Sequence, residues 1–211
     1  MLDKILGDNT QARHLQSEAA RLLYRAGIRA NFATTLAAIN GVAAGIAFCT
    51  GATGWGILLL ATSALFDATD GTIAREYGGP SALGGVLDLV SDRLVETAVI
   101  VGIAWNRPEL FRPALLLVGS WYVNITVFLA VGAALERTGP KLIDYPPGIL
   151  ERTEALIFFA VLALVASVTV LRPLGPILCY AMTALEVATG LQRLIFGWRM
   201  LGNESPAPRR N

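Results

Sequence analysis

The chain has 211 residues, a formal net charge of +1 and a mean hydropathy of +0.55, with 54% hydrophobic against 16% charged residues. So small a net charge argues against a nucleic-acid partner, and the apolar content exceeds what a soluble domain of this length needs. The lone histidine, His14, leaves no material for a histidine-based metal or catalytic site, and Cys49 and Cys179 fall in apolar segments, where they read as small buried hydrophobes rather than a disulfide.

The first 29 residues are polar and charged, with no early apolar run, so no secretory signal is expected there. Within them, Leu15, Ala19, Leu22, Leu23 and Ala26 share one helical face, with Arg13, Glu18, Arg21 and Arg25 elsewhere. That pattern predicts an amphipathic helix over residues 9–26, lying on the cytoplasmic membrane surface or packed on the bundle. Charge is absent from residues 30–66, 113–135 and 155–171. About 20 apolar residues span a bilayer core as a helix.

Six membrane helices are expected, over residues 31–49, 55–75, 83–105, 113–135, 152–171 and 173–192. Thr50-Gly51-Ala52-Thr53-Gly54 breaks the first from the second, and Tyr77-Gly78-Gly79-Pro80-Ser81 is a turn. Asn106-Arg107-Pro108-Glu109 reads as a short exposed loop, residues 136–148 as a polar loop, and residues 202–211 as a polar, disordered tail. The expected class is therefore an all-α integral membrane protein. It comprises a cytoplasmic segment over residues 1–29, a six-helix membrane domain over 30–200 and a tail over 201–211.

Six spans put both termini on one side of the membrane. Of the 17 Lys and Arg, all but Arg107, Arg112 and Arg172 then fall on that side or near its edge. The positive-inside rule makes it the cytoplasmic side.

Asp67, Asp70, Asp88 and Asp92 interrupt this apolar background. A carboxylate at membrane depth costs several kcal/mol on some scales, and four together repel unless a cation neutralises them. Spacings of three (Asp67, Asp70) and four (Asp88, Asp92) put each pair on one helical face. A tight turn between the two helices brings all four together. Oxygen donors without His or Cys suit Mg²⁺, Mn²⁺ or Ca²⁺, one ion or two, rather than zinc. Arg75 at the end of the second helix is placed to grip a phosphate oxygen. Gly71, Ala74 and Gly84 are small enough to let a bulky ligand approach. Together these residues describe a site for a lipid-linked diphosphate. Glu96 and Glu186 also fall in expected spans, Glu96 beside either Asp92 or Arg93.

The run D-x-x-D-G-x-x-A-R, eight residues, G-x-x-x-D-x-x-x-D, over residues 67–92, resembles the signature of the CDP-alcohol phosphatidyltransferases. All eight fixed positions are present. The resemblance implies displacement of CMP from a CDP-linked lipid such as CDP-diacylglycerol by an alcohol, in a homodimeric membrane enzyme with a cytoplasm-facing site. It implies Mg²⁺ or Mn²⁺ at Asp67, Asp70 and Asp88, with Asp92 as general base and further metal ligand. Gly71, Ala74, Arg75 and Gly84 are then the CDP site. Asn31 and Thr34 match the start of the family's first helix, although Ala30 replaces its usual proline; they contact the nucleotide or cap the helix.

The acceptor is less marked. Ser91-Asp92-Arg93, the segment from Gly148 to Glu154, and Gly190-Leu191-Gln192-Arg193 resemble the phosphatidylinositol-phosphate synthases. That makes Arg152 and Arg193 candidates for an acceptor phosphate, and a phosphorylated polyol such as inositol phosphate the expected acceptor. Both arginines also read as membrane-edge anchors. Those synthases carry a lysine near the end of the fourth helix. Here Phe128 to Ala134 has no charge, so either one anion contact is missing or Lys141 supplies it from the loop. Glycerol-3-phosphate or another alcohol, a membrane prenyltransferase and an ion-coupled transporter are the competing readings.

Overall fold

A computed structural model describes residues 10–138 and 152–202. Seven helices follow in order: α1 Thr10–Arg25, α2 Ala30–Cys49, α3 Thr53–Ile73, α4 Ala82–Ala104, α5 Pro108–Thr138, α6 Arg152–Ser167 and α7 Leu174–Gly202. A π-helical turn, Ala74–Gly78, continues α3. No strand occurs among the described residues.

Two glycines make the tight exits. Gly27 closes α1 at φ +86°, and Gly51 closes α2 at φ +80°. Each terminus carries the paired backbone bonds of a Schellman motif. Gly27 N donates to Tyr24 O and Ile28 N to Leu23 O; Gly51 N donates to Phe48 O and Ala52 N to Ala47 O. Only glycine adopts that left-handed conformation without a Cβ penalty.

Helix α2 packs against both α3 and α4, and α5 packs against α7. The α2–α4 crossing brings backbone to backbone. A Cβ on Gly45 would lie 2.4 Å from Ala98 O, and one on Gly102 would lie 2.0 Å from Gly45 O. A larger core joins α2 through α7 around Val99, Leu117, Phe159, Leu162 and Cys179. The Trp121 and Phe159 rings meet edge to face at 5.7 Å there. Cys49 and Cys179 are both free thiols.

The outside of the bundle is apolar, with Trp55, Leu58, Leu65, Trp105 and Phe111 all exposed. Among the described residues, four helices are long and apolar enough to cross a membrane: Ala30–Cys49, Thr53–Gly78, Pro108–Leu135 and Leu174–Gly202. Helix α4 misses that description because Asp88, Asp92, Arg93 and Glu96 lie within it, and α6 because it is only 16 residues long.

Several boundaries differ from the expected ones. Helix α5 starts at Pro108 instead of residue 113, so Pro108 is not in a loop. Proline suits the first helical position because its missing N–H would have no intrahelical partner there. Pro113 then sits inside the helix, near enough to its start to forfeit only one backbone bond. Helix α6 ends at Ser167, short of residue 171, and α7 runs on to Gly202, ten residues past the expected end. Arg193 and Arg199 mark no helix end, because Leu194, Ile195 and Phe196 carry the helical pattern onward. Helix α5 runs on to Thr138, three residues into the expected loop over residues 136–148; the rest of that loop and the tail beyond Gly202 lie outside the described residues.

Helix α1 docks on α3. Ala20 is completely buried with Ala33 and Ile73, and Leu23 packs on that cluster. Leu15 and Leu22 point the other way, 71% and 65% exposed. The expected single apolar face is thus divided between bundle and surroundings.

Candidate active site

The end of α3 and the first half of α4 run antiparallel around the turn at Gly79, and this gathers the carboxylates. Oxygens of Asp67, Asp70 and Asp88 all lie within 4.8 Å of one another. Asp70 is buried, while Asp67 and Asp88 are half-buried. Asp92 stands one turn further along α4, beside this triplet rather than in it. Its Oδ2 is 3.9 Å from the Arg93 guanidinium. Arg93 also pairs with Glu96 at 2.9 Å, so of the two neighbours open to Glu96 the structure selects Arg93.

Helix α2 supplies the third wall. Thr34 Oγ1 donates to Asp70 Oδ2, with the Ala30 carbonyl also within reach at 3.1 Å. A carboxylate oriented this way is held for a ligand before the ligand arrives.

Beside the triplet lies a cavity of about 240 Å³. Asn31, Thr34, Gly71, Ala74, Arg75 and Gly84 all line it, together with Asp70 and Asp88. Space is tight at both glycines. A Cβ on Gly71 would come 3.2 Å from Arg75 Nη1, and one on Gly84 would meet Ser81 Oγ at 3.1 Å and Asn31 Oδ1 at 3.2 Å. Arg75 Nη2 donates to Thr72 Oγ1 over 3.2 Å, which folds the guanidinium back along α3.

Ser81 is a wall residue that the sequence reading took for part of a plain turn. Its hydroxyl accepts from Gly84 N at 3.0 Å and caps α4. The signal was available: a serine three residues before Gly84, at the start of a helical run. Gly85 also lines the cavity, and no residue pattern singled it out.

Of the acceptor-phosphate candidates, Arg193 does not line this cavity. Arg193 is held between α5 and α7, donating from Nη1 to Asn124 Oδ1 at 2.8 Å, with its guanidinium 4.9 Å from the centre of the Phe128 ring. Asn124 Nδ2 in turn donates to Glu186 Oε2 at 2.5 Å, and both residues are buried. In the uncharged stretch from Phe128 to Ala134, Phe128 offers an aromatic face to Arg193. Arg152 occupies the first position of α6, and Lys141 lies outside the described residues.

A sequence model of the CDP-alcohol phosphatidyltransferases matches residues 28–192, which contain every wall of this cavity. The chain belongs to the CDP-alcohol phosphatidyltransferase family.

Among curated members of the family, it is 31% identical over 194 residues to the phosphatidylinositol phosphate synthase of Mycobacterium tuberculosis, covering 87% of this chain and 85% of that one. The Mycobacteroides abscessus enzyme of the same name is 34% identical over 137 residues, 62% of this chain and 61% of that one. In the enzyme of Mycolicibacterium smegmatis the matched part is likewise under two thirds, at 64% of its length. The archaetidylinositol phosphate synthase of Methanothermobacter thermautotrophicus is 31% identical over 179 residues, 84% of this chain and 87% of that one.

Two crystal structures of the M. tuberculosis phosphatidylinositol phosphate synthase share the fold of this chain. The one with CDP-DAG bound superposes with a TM-score of 0.72 at 26% identity, covering 94% of this chain and 98% of that one. The one in complex with manganese and citrate gives 0.72 at 27%, covering 93% of each chain. Family membership and four spanning-length apolar helices make the protein an integral membrane protein. They also set aside the prenyltransferase and transporter readings.

Proposed function

We propose that the protein transfers the phosphatidyl group of CDP-diacylglycerol to a hydroxyl of an inositol phosphate and releases CMP. The observation that carries this reading is the cavity where the Asp67, Asp70 and Asp88 oxygens adjoin Arg75 and the small residues Gly71, Ala74 and Gly84. The phosphatidylinositol phosphate synthases that align with 87% of the chain support the acceptor.

Three carboxylate oxygens within 4.8 Å, with no nitrogen or sulfur donor among them, fit a hard divalent cation. Asp67, Asp70 and Asp88 would hold one or two ions of Mg²⁺ or Mn²⁺, with Asp92 as a further ligand. When bound, such ions neutralise the diphosphate and stabilise CMP as it leaves.

The chain's own residues do the rest. Arg75 grips a diphosphate oxygen. Asn31, Thr34, Gly71, Ala74 and Gly84 form the walls against which the nucleotide lies. Asp92 takes the proton from the acceptor hydroxyl as its oxygen bonds to the phosphatidyl phosphorus and the bond from that phosphorus to the CMP oxygen breaks. Arg193 binds the acceptor phosphate, with Arg152 and Lys141 as the further cations.

In the same reading α4 and α6 complete six spans, and the charged side chains of α4 turn inward to the site. Both termini and the site face the cytoplasm, α1 rests on the membrane surface, and two copies form a homodimer. Residues 1–29, 30–200 and 201–211 are its three parts.

The test is a screen of acceptors with purified full-length protein, CDP-diacylglycerol and Mn²⁺, reading CMP release. Inositol phosphate supports turnover, and glycerol-3-phosphate, inositol and serine do not. Turnover on glycerol-3-phosphate with none on inositol phosphate reassigns the acceptor.

A further inference from the structure

Arg75 is the second residue of the π-helical turn Ala74–Gly78. Such turns are rare and recur at functional sites. Relaxation into α geometry would re-aim every side chain along the turn, so its direction has to be set by neighbours.

The neighbour is α1. Gln16 Nε2 donates to the Ala68 carbonyl one turn before the transition. Ala20 buries against Ile73, the last residue of α3. Ser17 Oγ donates to Glu76 Oε1 over 2.8 Å. The Tyr24 ring stacks on Tyr77 with centroids 4.5 Å apart and planes 12° from parallel. Helix α1 thus grips the last turn of α3 and both residues that follow Arg75.

Arg75 itself turns to the other side. It bonds to Thr72, comes close to Gly71 and lines the cavity. With Glu76 and Tyr77 both held on the α1 side, Arg75 is left on the cavity side of the turn.

We propose that α1 is a positioning element for the nucleotide site, holding the π-helical turn through Ser17–Glu76 and Tyr24–Tyr77 so that Arg75 faces the cavity. This rests on the reading of that cavity as the CDP site. Tyr24 and Tyr77 do not touch the ligand; they act through Arg75.

The experiment is a double-mutant cycle on the full chain in detergent micelles. Equilibrium binding of CDP-diacylglycerol is measured with Mn²⁺ present, so no acceptor or turnover is needed. Tyr24→Leu and Tyr77→Leu each weaken binding about fivefold to tenfold, and Tyr24→Phe, which keeps the stack, binds as the parent does. In an Arg75→Ala background, Tyr24→Leu has no further effect, because its action passes through the missing guanidinium.

An equal loss from Tyr24→Leu in both backgrounds overturns the proposal, since the stack then serves general stability. So does parent-like binding by Tyr24→Leu while Arg75→Ala binds weakly, an outcome that leaves the nucleotide reading intact. If Arg75→Ala itself binds as the parent does, the nucleotide reading and the proposal fall together.

Discussion

Thr34 on α2 hydrogen-bonds to Asp70 on α3, 36 residues away, and both are buried. The hydroxyl donor leaves the remaining carboxylate capacity directed at Asp67 and Asp88. Outer partners of this kind are worth about tenfold to a hundredfold in metal affinity. Thr34→Val therefore raises the Mn²⁺ concentration for half-maximal activity by at least about tenfold, and saturating Mn²⁺ restores turnover. An unchanged Mn²⁺ midpoint would show that the bond has no part in metal binding.

Asp92 lies beside the metal triplet, and the proposal gives it the proton. General-base catalysis contributes about a hundredfold to ten-thousandfold in rate. Asp92→Asn should lower kcat by at least about a hundredfold while CDP-diacylglycerol still binds. Asp70→Asn should lose binding with activity. Parallel loss of both in Asp92→Asn would make it chiefly a metal ligand.

Gly71 faces Arg75, and an added Cβ would stand 3.2 Å from its guanidinium. Gly71→Ala displaces that group by a few tenths of an ångström and so loosens its grip on the diphosphate. Steady-state kinetics should show KM for CDP-diacylglycerol rising several-fold, with KM for the acceptor little changed. A rise confined to the acceptor KM would place Arg75 on the wrong substrate.

The α2–α4 crossing sets the distance between the Asn31–Thr34 wall and Asp88. Gly102→Ala forces a Cβ to 2.0 Å from Gly45 O, a backbone atom that cannot step aside. Overpacking of this kind costs about 1–3 kcal/mol, sometimes more. Thermal unfolding in detergent should fall by several degrees, whereas Gly119→Ala, with nothing within 4 Å, does not lower it.

The aspartate site was legible because it is local. Spacings of three and four put the carboxylates on helical faces, and the glycine-rich turn between the helices brought those faces together. The six residues assigned to the nucleotide line one cavity for a similar reason: four of them lie within 14 residues, from Gly71 to Gly84. Contacts between distant segments were not legible. Tyr24 against Tyr77 and Asn124 against Glu186 join residues more than 50 positions apart. No periodicity encodes such pairings. Composition also misjudged helix ends. Pro113 looked like a start because the uncharged run begins there, yet Pro108 already satisfies the first position of the same helix.

The central claim is a metal-dependent transfer from CDP-diacylglycerol to an inositol phosphate. Liposomes containing the full chain and CDP-diacylglycerol, supplied with labelled inositol phosphate and Mn²⁺, test it most directly. The account predicts CMP and labelled lipid in equal amounts, both abolished by a chelator and both restored by added Mn²⁺. CMP release without labelled lipid, or label transfer that survives chelation, would contradict it.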